Sequence, residues 1–230
     1  MERVTQPYPA AVLWDMDGTL VDTEPLWIAA EKELVGRYGG TWTDADSLAL
    51  VGSDLLAAGD YIRRKADLPM TAAQVRDALM EQVLDGVKRG ADWRPGAVEL
   101  LAALDLAAVP CALVTMSYRQ LAETVVGQLP AGRFTTMVTG DEVSRGKPDP
   151  EPYLAAAAEL DVKPEQCLVI EDSPPGVESG LAAGMRVIGV PNAVGIQPRP
   201  GLVLMETLAG LGVDDLLLAV GDAESGRSDQ

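Results

Sequence analysis

Short apolar runs that end abruptly in polar residues are the clearest pattern along the chain. Each run has the length of a strand buried on both faces, and helical patterns separate the runs. Such alternation predicts a doubly wound parallel sheet of the α/β class, with helices on both faces. The predicted strands cover residues 10–14, 111–114, 167–170 and 187–190, and the predicted helices roughly 96–107, 118–129, 151–160 and 175–183.

Residues 22–92 break the alternation, because only helical signals occur there. A first helix is predicted from Pro25 to the Gly39-Gly40 pair, and shorter helices begin near Thr43 and Ser53. A capping box at 71–74 precedes a longer helix with one apolar face. We therefore expect an all-helical domain, residues 22–92, inserted into an α/β core formed by 1–21 and 93–230. The apolar face of its last helix consists of Val75, Leu79, Val83 and Val87.

The composition is that of a globular protein, with 47% apolar and 23% charged residues. No uncharged apolar run reaches the length of a membrane span, and Glu2 and two prolines precede the first apolar run. Cys111 and Cys167 have no metal-ligand spacing, so we interpret them as buried, reduced thiols. These features predict a cytoplasmic protein with no membrane partner.

The formal net charge of −17 argues against a nucleic-acid partner, because binding to a phosphate backbone needs clustered Lys and Arg. The same charge repels small anions, so a phosphate site would need its own local positive charge. The chain has no histidine. This excludes Ser-His-Asp and Cys-His catalysis, HExxH zinc sites and an imidazole general base.

Asp15 and Asp17 follow the first predicted strand. In extended backbone, residues i and i+2 point the same way, so both carboxylates can face one site beyond the strand end. Gly18 then allows a sharp turn. Two aspartates at this spacing are common without any function, and only their context raises their significance.

Three further signals have the same kind of placement. Thr115 ends the second predicted strand, where its hydroxyl and the next backbone N–H can bind an anion, although such a threonine is often only a turn residue. Lys147 lies in a segment stiffened by two prolines, and a surface lysine is the ordinary alternative. The adjacent acids Glu171 and Asp172 are costly to bury unless hydrogen-bonded or bound to a cation.

All four signals fall at or just after strand ends, on the face where such folds bind ligands. Carboxylates for Mg²⁺, a nucleophilic carboxylate, a hydroxyl and a lysine together form a set suited to phosphoryl transfer. After Asp172, three glycines recur at helical spacing, which we interpret as close packing of a helix on the sheet. They are Gly176, Gly180 and Gly184.

In order and spacing, DMDGTLVDTE, the strand-end Thr115, GKPDPEPY and IEDSPPGVESGLAAGM resemble the four motifs of the haloacid dehalogenase superfamily. The resemblance covers about residues 10–220 and points to the branch with beta-phosphoglucomutase and small sugar phosphatases. It implies that the helical insertion is a cap of the C1 type, placed between the first and second motifs.

The resemblance also implies catalytic roles. Asp15 would attack phosphorus and become an aspartyl phosphate. Asp17 would protonate the leaving oxygen and then activate water. Mg²⁺ would be held by Asp15, the backbone carbonyl of Asp17 and Asp172, with Glu171 in support.

The phosphoryl oxygens would be held by Thr115, the N–H of Met116 and Lys147. Substrate choice in this branch is set by cap residues. The candidates here are Trp27, Tyr61, Arg63 and Arg64.

The predicted function is a Mg²⁺-dependent phosphatase acting on a small phosphorylated metabolite, with a sugar phosphate favoured and a monomer as the expected state. Dehalogenases of the superfamily lack the second aspartate, so the presence of Asp17 argues against dehalogenation here. A mutase of the beta-phosphoglucomutase type is an alternative, but its cap histidine and arginine correspond here to Trp27 and, counting from Gly52, to Leu55. A catalytically idle binding module is the other alternative, although no motif Asp or Lys is lost.

Overall fold

The computed structural model describes residues 9–50 and 54–216. The chain divides into two compact units. One comprises the chain up to Val21 together with the chain from Trp93 onward, and the other comprises Asp22–Asp92. No helix in the described ranges is both long enough and apolar enough to cross a membrane.

The larger unit contains a six-stranded, all-parallel sheet with helices around it, which confirms the predicted α/β class. The strand order is β3-β2-β1-β4-β5-β6, so the connections run first to one side of β1 and then to the other. The strands are β1 (Ala11–Trp14), β2 (Cys111–Val114), β3 (Thr136–Val138), β4 (Cys167–Glu171), β5 (Arg186–Gly189) and β6 (Leu202–Leu204).

Eight α-helices lie wholly within the described residues, four in each unit, and the sheet unit also has a short 3-10 helix at Pro164–Gln166 and a helical stretch at 213–216. The unit of residues 22–92 holds α1 (Glu24–Arg37), α2 (Asp44–Leu48), α3 (Leu55–Lys65) and α4 (Ala72–Arg89). The sheet unit holds α5 (Ala97–Leu106), α6 (Arg119–Val126), α7 (Glu151–Glu159) and α8 (Pro174–Ala182).

Capping residues and one close helix contact define the local structure of the unit of residues 22–92. Both the Thr43 and Thr71 side chains accept a backbone N–H three residues later, in full capping boxes that start α2 and α4. The four apolar residues predicted for one face of α4 are buried. Gly59 of α3 lets two helices approach closely, since a Cβ there would lie 2.5 Å from the carbonyl oxygen of Ala72.

Two strands were not predicted, β3 and β6, and both lie at the edges of the sheet. Each has only three residues, and half-buried or exposed positions dominate both. β3 reads TMV and has no continuous apolar run, whereas β6 reads LVL and is apolar but has no buried residue. In β1, β2 and β4 every residue is buried.

The central strand β1 fixes where the site lies. It pairs with β2 on one side and β4 on the other, with Trp14 opposite Leu113 and Ile170. The strand order reverses beside β1, which is the position where open α/β sheets bind ligands at the carboxyl ends of their strands. The same pairing keeps Cys111 and Cys167 on the two strands that flank β1, and both are free and buried.

Candidate active site

Polar residues from three adjacent strands meet at the carboxyl edge of the sheet. Asp15 follows β1, Thr115 follows β2, and Glu171 ends β4. The N–H of Asp15 donates to the Ile170 carbonyl at 3.0 Å, so the first residue after β1 stays attached to β4. The predicted convergence of these signals at one edge of the sheet is therefore present in the structure.

The turn after β1 is tight. The Met16 carbonyl accepts the N–H groups of Thr19, Leu20 and Val21 at 3.3, 2.9 and 3.1 Å. Gly18 has φ of 89°, which disfavours a side chain, and a Cβ there would lie 2.1 Å from Oδ2 of Asp172. Glycine at this position leaves the space that the Asp172 carboxylate occupies.

Lys147 lies among acceptors rather than in solvent, with a side chain only 5% exposed. Its Nζ donates to Oδ1 of Asp15 and Oε1 of Glu171, both at 2.6 Å, and to the Val114 carbonyl at 2.9 Å. Burial alone favours the neutral amine, but the charges of Asp15 and Glu171 outweigh it and raise the pKa of Lys147. Lys147 is therefore a fixed positive charge within this cluster.

Glu171 is bound by donors on both oxygens. Its Oε1 accepts the Tyr153 hydroxyl at 2.9 Å as well as Lys147, and the Lys147 ammonium lies 5.0 Å from the Tyr153 ring centroid. Its Oε2 accepts the N–H of Asp172 at 3.1 Å and the N–H and hydroxyl of Ser173 at 3.2 and 3.0 Å. Five donors to one carboxylate fix its orientation.

Asp15, Glu171 and Asp172 form an acidic cluster, in which one oxygen from each lies within 4.8 Å of the others. Burial first, and then repulsion between these carboxylates, raise the pKa values of Asp15 and Asp172, although Lys147 acts in the opposite direction. An all-oxygen donor set with excess negative charge suits a hard divalent cation such as Mg²⁺. Because Glu171 already accepts five hydrogen bonds, Asp15 and Asp172 are the better placed ligands.

Asp17 faces a different partner from Asp15. Its Oδ2 accepts the Ser117 hydroxyl at 2.7 Å and the Thr115 hydroxyl at 3.3 Å. The N–H of Ser117 in turn donates to Oγ1 of Thr115 at 3.0 Å. The two aspartates of the first motif are therefore held apart, Asp15 by the lysine and Asp17 by the loop after β2.

Met116 lies between these two hydroxyl residues. Its backbone packs against Gly140, where a Cβ would lie 2.2 Å from the Met116 carbonyl oxygen, and its Sδ accepts the N–H of Lys147 at 3.3 Å. Met116 thus joins the loop after β2 to the segment that carries Lys147. The predicted contacts of Thr115, Met116 and Lys147 with a phosphoryl group remain predictions.

The cap candidates have partners inside their own unit. Arg63 and Arg64 both form ion pairs with Asp60, the first at 2.6 Å. The Tyr61 hydroxyl accepts from Lys65 at 3.1 Å, and its ring contacts Trp42 edge-on with centroids 6.2 Å apart. Trp27 is half-buried on α1. Leu55, the second position that was compared with a mutase, begins α3, and Gly52, from which it was counted, lies outside the described residues.

Four residues of this region were missed by the sequence analysis. Thr19 donates to Oδ1 of Asp172 at 3.4 Å, and Tyr153, Ser117 and Ser173 make the contacts described above. All except Ser117 fall inside the quoted motifs, so membership of a motif could have identified Thr19, Tyr153 and Ser173 as site residues. Ser117 repeats after β2 the i, i+2 spacing of Asp15 and Asp17 after β1.

The sequence analysis interpreted Gly176, Gly180 and Gly184 as close packing of a helix on the sheet. This interpretation holds only for Gly180. Gly180 packs on the sheet, since a Cβ would lie 2.9 Å from Cγ2 of Val187. At Gly176 a Cβ would lie 1.7 Å from Oε1 of Glu171, so this glycine makes room for the carboxylate instead. Gly184 follows α8 with φ of 78° and ends it in a left-handed turn, with nothing near its Cβ position.

Comparison with known proteins agrees with this geometry. A family model described as haloacid dehalogenase-like hydrolase matches residues 12–190. The bifunctional riboflavin kinase/FMN phosphatase of Arabidopsis thaliana is 36% identical over 197 residues, which cover 84% of this chain but only 51% of that protein, so the chain spans about half of its length. Hexitol phosphatase A of Escherichia coli (strain K12) is 34% identical over 189 residues, covering 81% of this chain and 85% of that enzyme.

A solved structure shows the same fold. CbbY from Rhodobacter sphaeroides, in complex with phosphate, superposes with a TM-score of 0.79 at 27% identity, covering 91% of this chain and 99% of that one. The match of the family model, the relatives and the shared fold confirm the resemblance that the four motifs indicated. The chain therefore belongs to the haloacid dehalogenase-like hydrolase family and is a phosphatase of that family.

Proposed function

We propose that this phosphatase hydrolyses a small phosphorylated metabolite, with a sugar or sugar-alcohol phosphate favoured, through an aspartyl phosphate on Asp15 and with Mg²⁺ as cofactor. The observation that carries the proposal is the environment of Asp15. This carboxylate is buried at the end of the central strand, and Lys147 holds its Oδ1 at 2.6 Å. We therefore assign nucleophilic attack to Oδ2.

In the first step, Oδ2 of Asp15 forms a bond to phosphorus while the bond from phosphorus to the leaving oxygen breaks. Asp17 donates its proton to that oxygen, which departs as an alcohol. In the second step, water attacks the phosphorus of the aspartyl phosphate and Asp17 takes up its proton. The bond from phosphorus to Asp15 breaks, so phosphate is released and the carboxylate is restored.

The cation site follows from the acidic cluster. Asp15 and Asp172 would hold Mg²⁺ together with the backbone carbonyl of Asp17, and Glu171 would support them through its hydrogen bonds to the Asp172 N–H and to Lys147. When bound, the cation offsets the charge of the phosphoryl oxygens. Thr115, the N–H of Met116 and Lys147 would bind those oxygens.

The proposed substrate class rests on the relatives, because the charge and the motifs of this chain indicate only that the substrate carries a phosphate group. The hexitol phosphatase of Escherichia coli supports a polyol or sugar phosphate. We propose that residues 22–92 act as the cap that selects the substrate, with Trp27, Tyr61, Arg63 and Arg64 as candidate contacts. For Arg63 and Arg64, a substrate contact would compete with their ion pairs to Asp60.

The test is a hydrolysis screen over phosphorylated metabolites with Mg²⁺, comparing the wild type with Asp15→Asn and with Asp161→Asn as the matched control. Asp161 is exposed and has φ of 55°, a conformation that asparagine also tolerates. We expect Asp15→Asn to remain folded and inactive, because an amide cannot attack phosphorus, and Asp161→Asn to keep wild-type activity. Phosphate release by folded Asp15→Asn in a single turnover would overturn the mechanism, and a bisphosphate-primed isomerase assay run beside it would reveal a mutase.

A further inference from the structure

Arg119, the first residue of α6, binds β3 and the loop after it through several groups. Its guanidinium makes a two-point contact with Glu142, in which Nε donates to Oε1 at 2.6 Å and Nη2 donates to Oε2. Nη2 also donates to the Met137 carbonyl at 2.8 Å, and the backbone N–H of Arg119 donates to Oδ1 of Asp141 at 3.1 Å. A two-point contact between a guanidinium and a carboxylate fixes direction as well as distance.

Thr139 anchors the acidic end of this contact to the sheet. It is fully buried directly after β3, its hydroxyl lies 2.9 Å from Oε2 of Glu142, and its N–H donates to the same oxygen at 3.3 Å. The hydrogen bond from Arg119 is the main cause that lowers the pKa of Glu142 below its ordinary value of 4.5, so the pair is charged near neutral pH. Partly exposed ion pairs contribute little when single, but this one has two-point geometry and a buried neighbour.

The Arg119–Glu142 pair joins the two segments that carry the candidate phosphate-binding residues. Arg119 comes directly after the loop that holds Thr115 and Met116, at the carboxyl end of β2. Glu142 lies between β3 and α7, in the same segment as Lys147. The pair therefore connects the hydroxyl and N–H donors of the candidate phosphate site to its lysine.

Neutral contacts between the same two segments are weaker. The Sδ of Met116 accepts the N–H of Lys147 at 3.3 Å, and sulfur is a weak acceptor. The N–H of Gly140 donates to the Ser117 carbonyl at 3.1 Å. Hydrogen bonds between charged groups are roughly twice as strong as neutral ones, so the Arg119–Glu142 pair dominates the connection.

We propose that Arg119 and Glu142 are positioning residues for the phosphate site. Their pair holds the segment of Lys147 against the loop after β2, so that Lys147 and that loop bind the same phosphoryl group. Neither member of the pair needs to touch the substrate. The proposal rests on the proposed function, because that function assigns Thr115, the N–H of Met116 and Lys147 to the phosphoryl oxygens.

Binding of phosphate and of Mg²⁺ distinguishes positioning from a general loss of structure. The proposed cation ligands Asp15 and Asp172 follow β1 and β4, outside the two segments that the pair joins. The experiment measures the inhibition constant of inorganic phosphate at saturating Mg²⁺. Separately, it measures the Mg²⁺ concentration that gives half of the maximal rise in melting temperature without phosphate. The variants are Arg119→Ala, Glu142→Ala and the double variant.

We expect each alanine variant to raise the inhibition constant of phosphate by about tenfold, less than the factor of about 10² that a misplacement of about 1 Å can cost. The Mg²⁺ concentration should change by less than about twofold, because the folded cation site is kept. The double variant should lose no more than the weaker-binding single variant, since either substitution breaks the same pair.

Milder variants decide the matter if an alanine variant does not fold. Arg119→Lys keeps the charge and Glu142→Gln keeps one acceptor, but neither keeps the two-point contact. Each should weaken phosphate binding by about threefold, again without additivity in the double variant.

Arg133→Ala and Asp105→Ala are the matched controls. Their ion pair joins the last turn of α5 to the segment before β3, at the amino ends of β2 and β3, and both variants should bind phosphate as the wild type does. Unchanged phosphate binding in folded Arg119→Ala, equal weakening in the controls, a parallel loss of Mg²⁺ binding or additive losses would overturn the positioning role and leave the proposed function intact. If phosphate does not compete with substrate in the wild type, the assigned phosphate-binding residues are wrong and the role of the pair falls with them.

Discussion

At the scale of single residues, two glycines near the acidic cluster leave room for carboxylates that come from elsewhere in the chain. Gly18 and Gly176 are both needed for this reason, since a Cβ at either would overlap Asp172 or Glu171. The sequence predicted the turn at Gly18, because a turn is a local property. It gave the wrong reason for Gly176, because helical spacing does not show that the Glu171 carboxylate folds back over α8.

Gly176→Ala should therefore be costly, although alanine normally favours a helix. The new Cβ would lie 1.7 Å from Oε1 of Glu171, so the carboxylate must move and lose hydrogen bonds. We expect the free energy of unfolding to fall by about 1–3 kcal/mol, the cost of leaving buried polar groups unpaired. Urea denaturation measures it, with Gly195→Ala as control, because nothing lies within 4 Å of a Cβ there. A stability equal to that of the control would contradict the packing argument.

The two thiols give a second prediction at the scale of residues. Burial raises the pKa of Cys111 to about 12 and that of Cys167 to about 11, so both stay protonated near neutral pH. A thiol reagent should label neither in the native protein and both after denaturation without reductant. Because β1 separates their strands, no disulfide should form, and an absence of thiols in the denatured protein would disprove this arrangement.

Elements were predictable where one physical signal dominates. The buried strands β1, β2 and β4 follow from continuous apolar runs, and α2 and α4 follow from capping residues. The edge strand β3 (TMV) escaped prediction because pairing with β2, and not its own composition, makes it a strand. The edge strand β6 (LVL) carries an apolar signal that the sequence analysis missed.

Within the inserted unit, a buried carboxylate links two elements. Glu31 of α1 is 6% exposed and accepts the indole N–H of Trp42, just before α2, at 3.0 Å. Burial raises the pKa of Glu31 above its ordinary value of 4.5, although hydrogen bonds from Ser47 and Trp42 oppose the shift. The native state then holds this proton more tightly than the unfolded state, so the contribution of Glu31 to stability declines as the pH rises above 4.5.

Glu31→Gln should remove that dependence, because the amide carbonyl can still accept from Trp42 but does not titrate. We expect Glu31→Gln to gain stability relative to the wild type between about pH 5 and about pH 8, measured by urea denaturation followed through tryptophan fluorescence. Glu33→Gln is the control, since Glu33 lies on the same helix but is exposed, with its side chain 58% accessible. Parallel pH profiles for Glu31→Gln and the wild type would refute the prediction.

At the scale of the whole molecule, the sequence and the structure reveal different features of the site. The order of the motifs shows which strand ends carry Asp15, Thr115 and Glu171, because a parallel sheet brings those ends to one edge. The expectation that Lys147 also lies at a strand end is wrong, since it lies in the loop between β3 and α7. It does not show which side chains bond to each other. The partition between an Asp15–Lys147 side and an Asp17–Ser117 side depends on rotamers and on loops that are far apart in the chain.

The division of the chain into two units predicts that Mg²⁺ stabilises the sheet unit and not residues 22–92. All candidate ligands belong to the sheet unit, and none comes from residues 22–92. A ligand that binds only the folded state stabilises it, by about 2.7 kcal/mol at one hundred times its dissociation constant. Mg²⁺ should therefore raise the melting temperature of the wild type, and much less that of Asp172→Asn.

Hydrogen exchange with and without Mg²⁺ locates this effect. We expect slower exchange in peptides that contain the turn after Asp15 and the Glu171-Asp172-Ser173 segment, and little change in α1–α4. The effect should grow from about pH 6 to about pH 8, because the cation competes with protons for carboxylates whose pKa values are raised by burial. Asp161→Asn should respond to Mg²⁺ as the wild type does. Protection that appears in α1–α4 but not around Asp15 would place the cation outside the acidic cluster and remove the support for the proposed cofactor site.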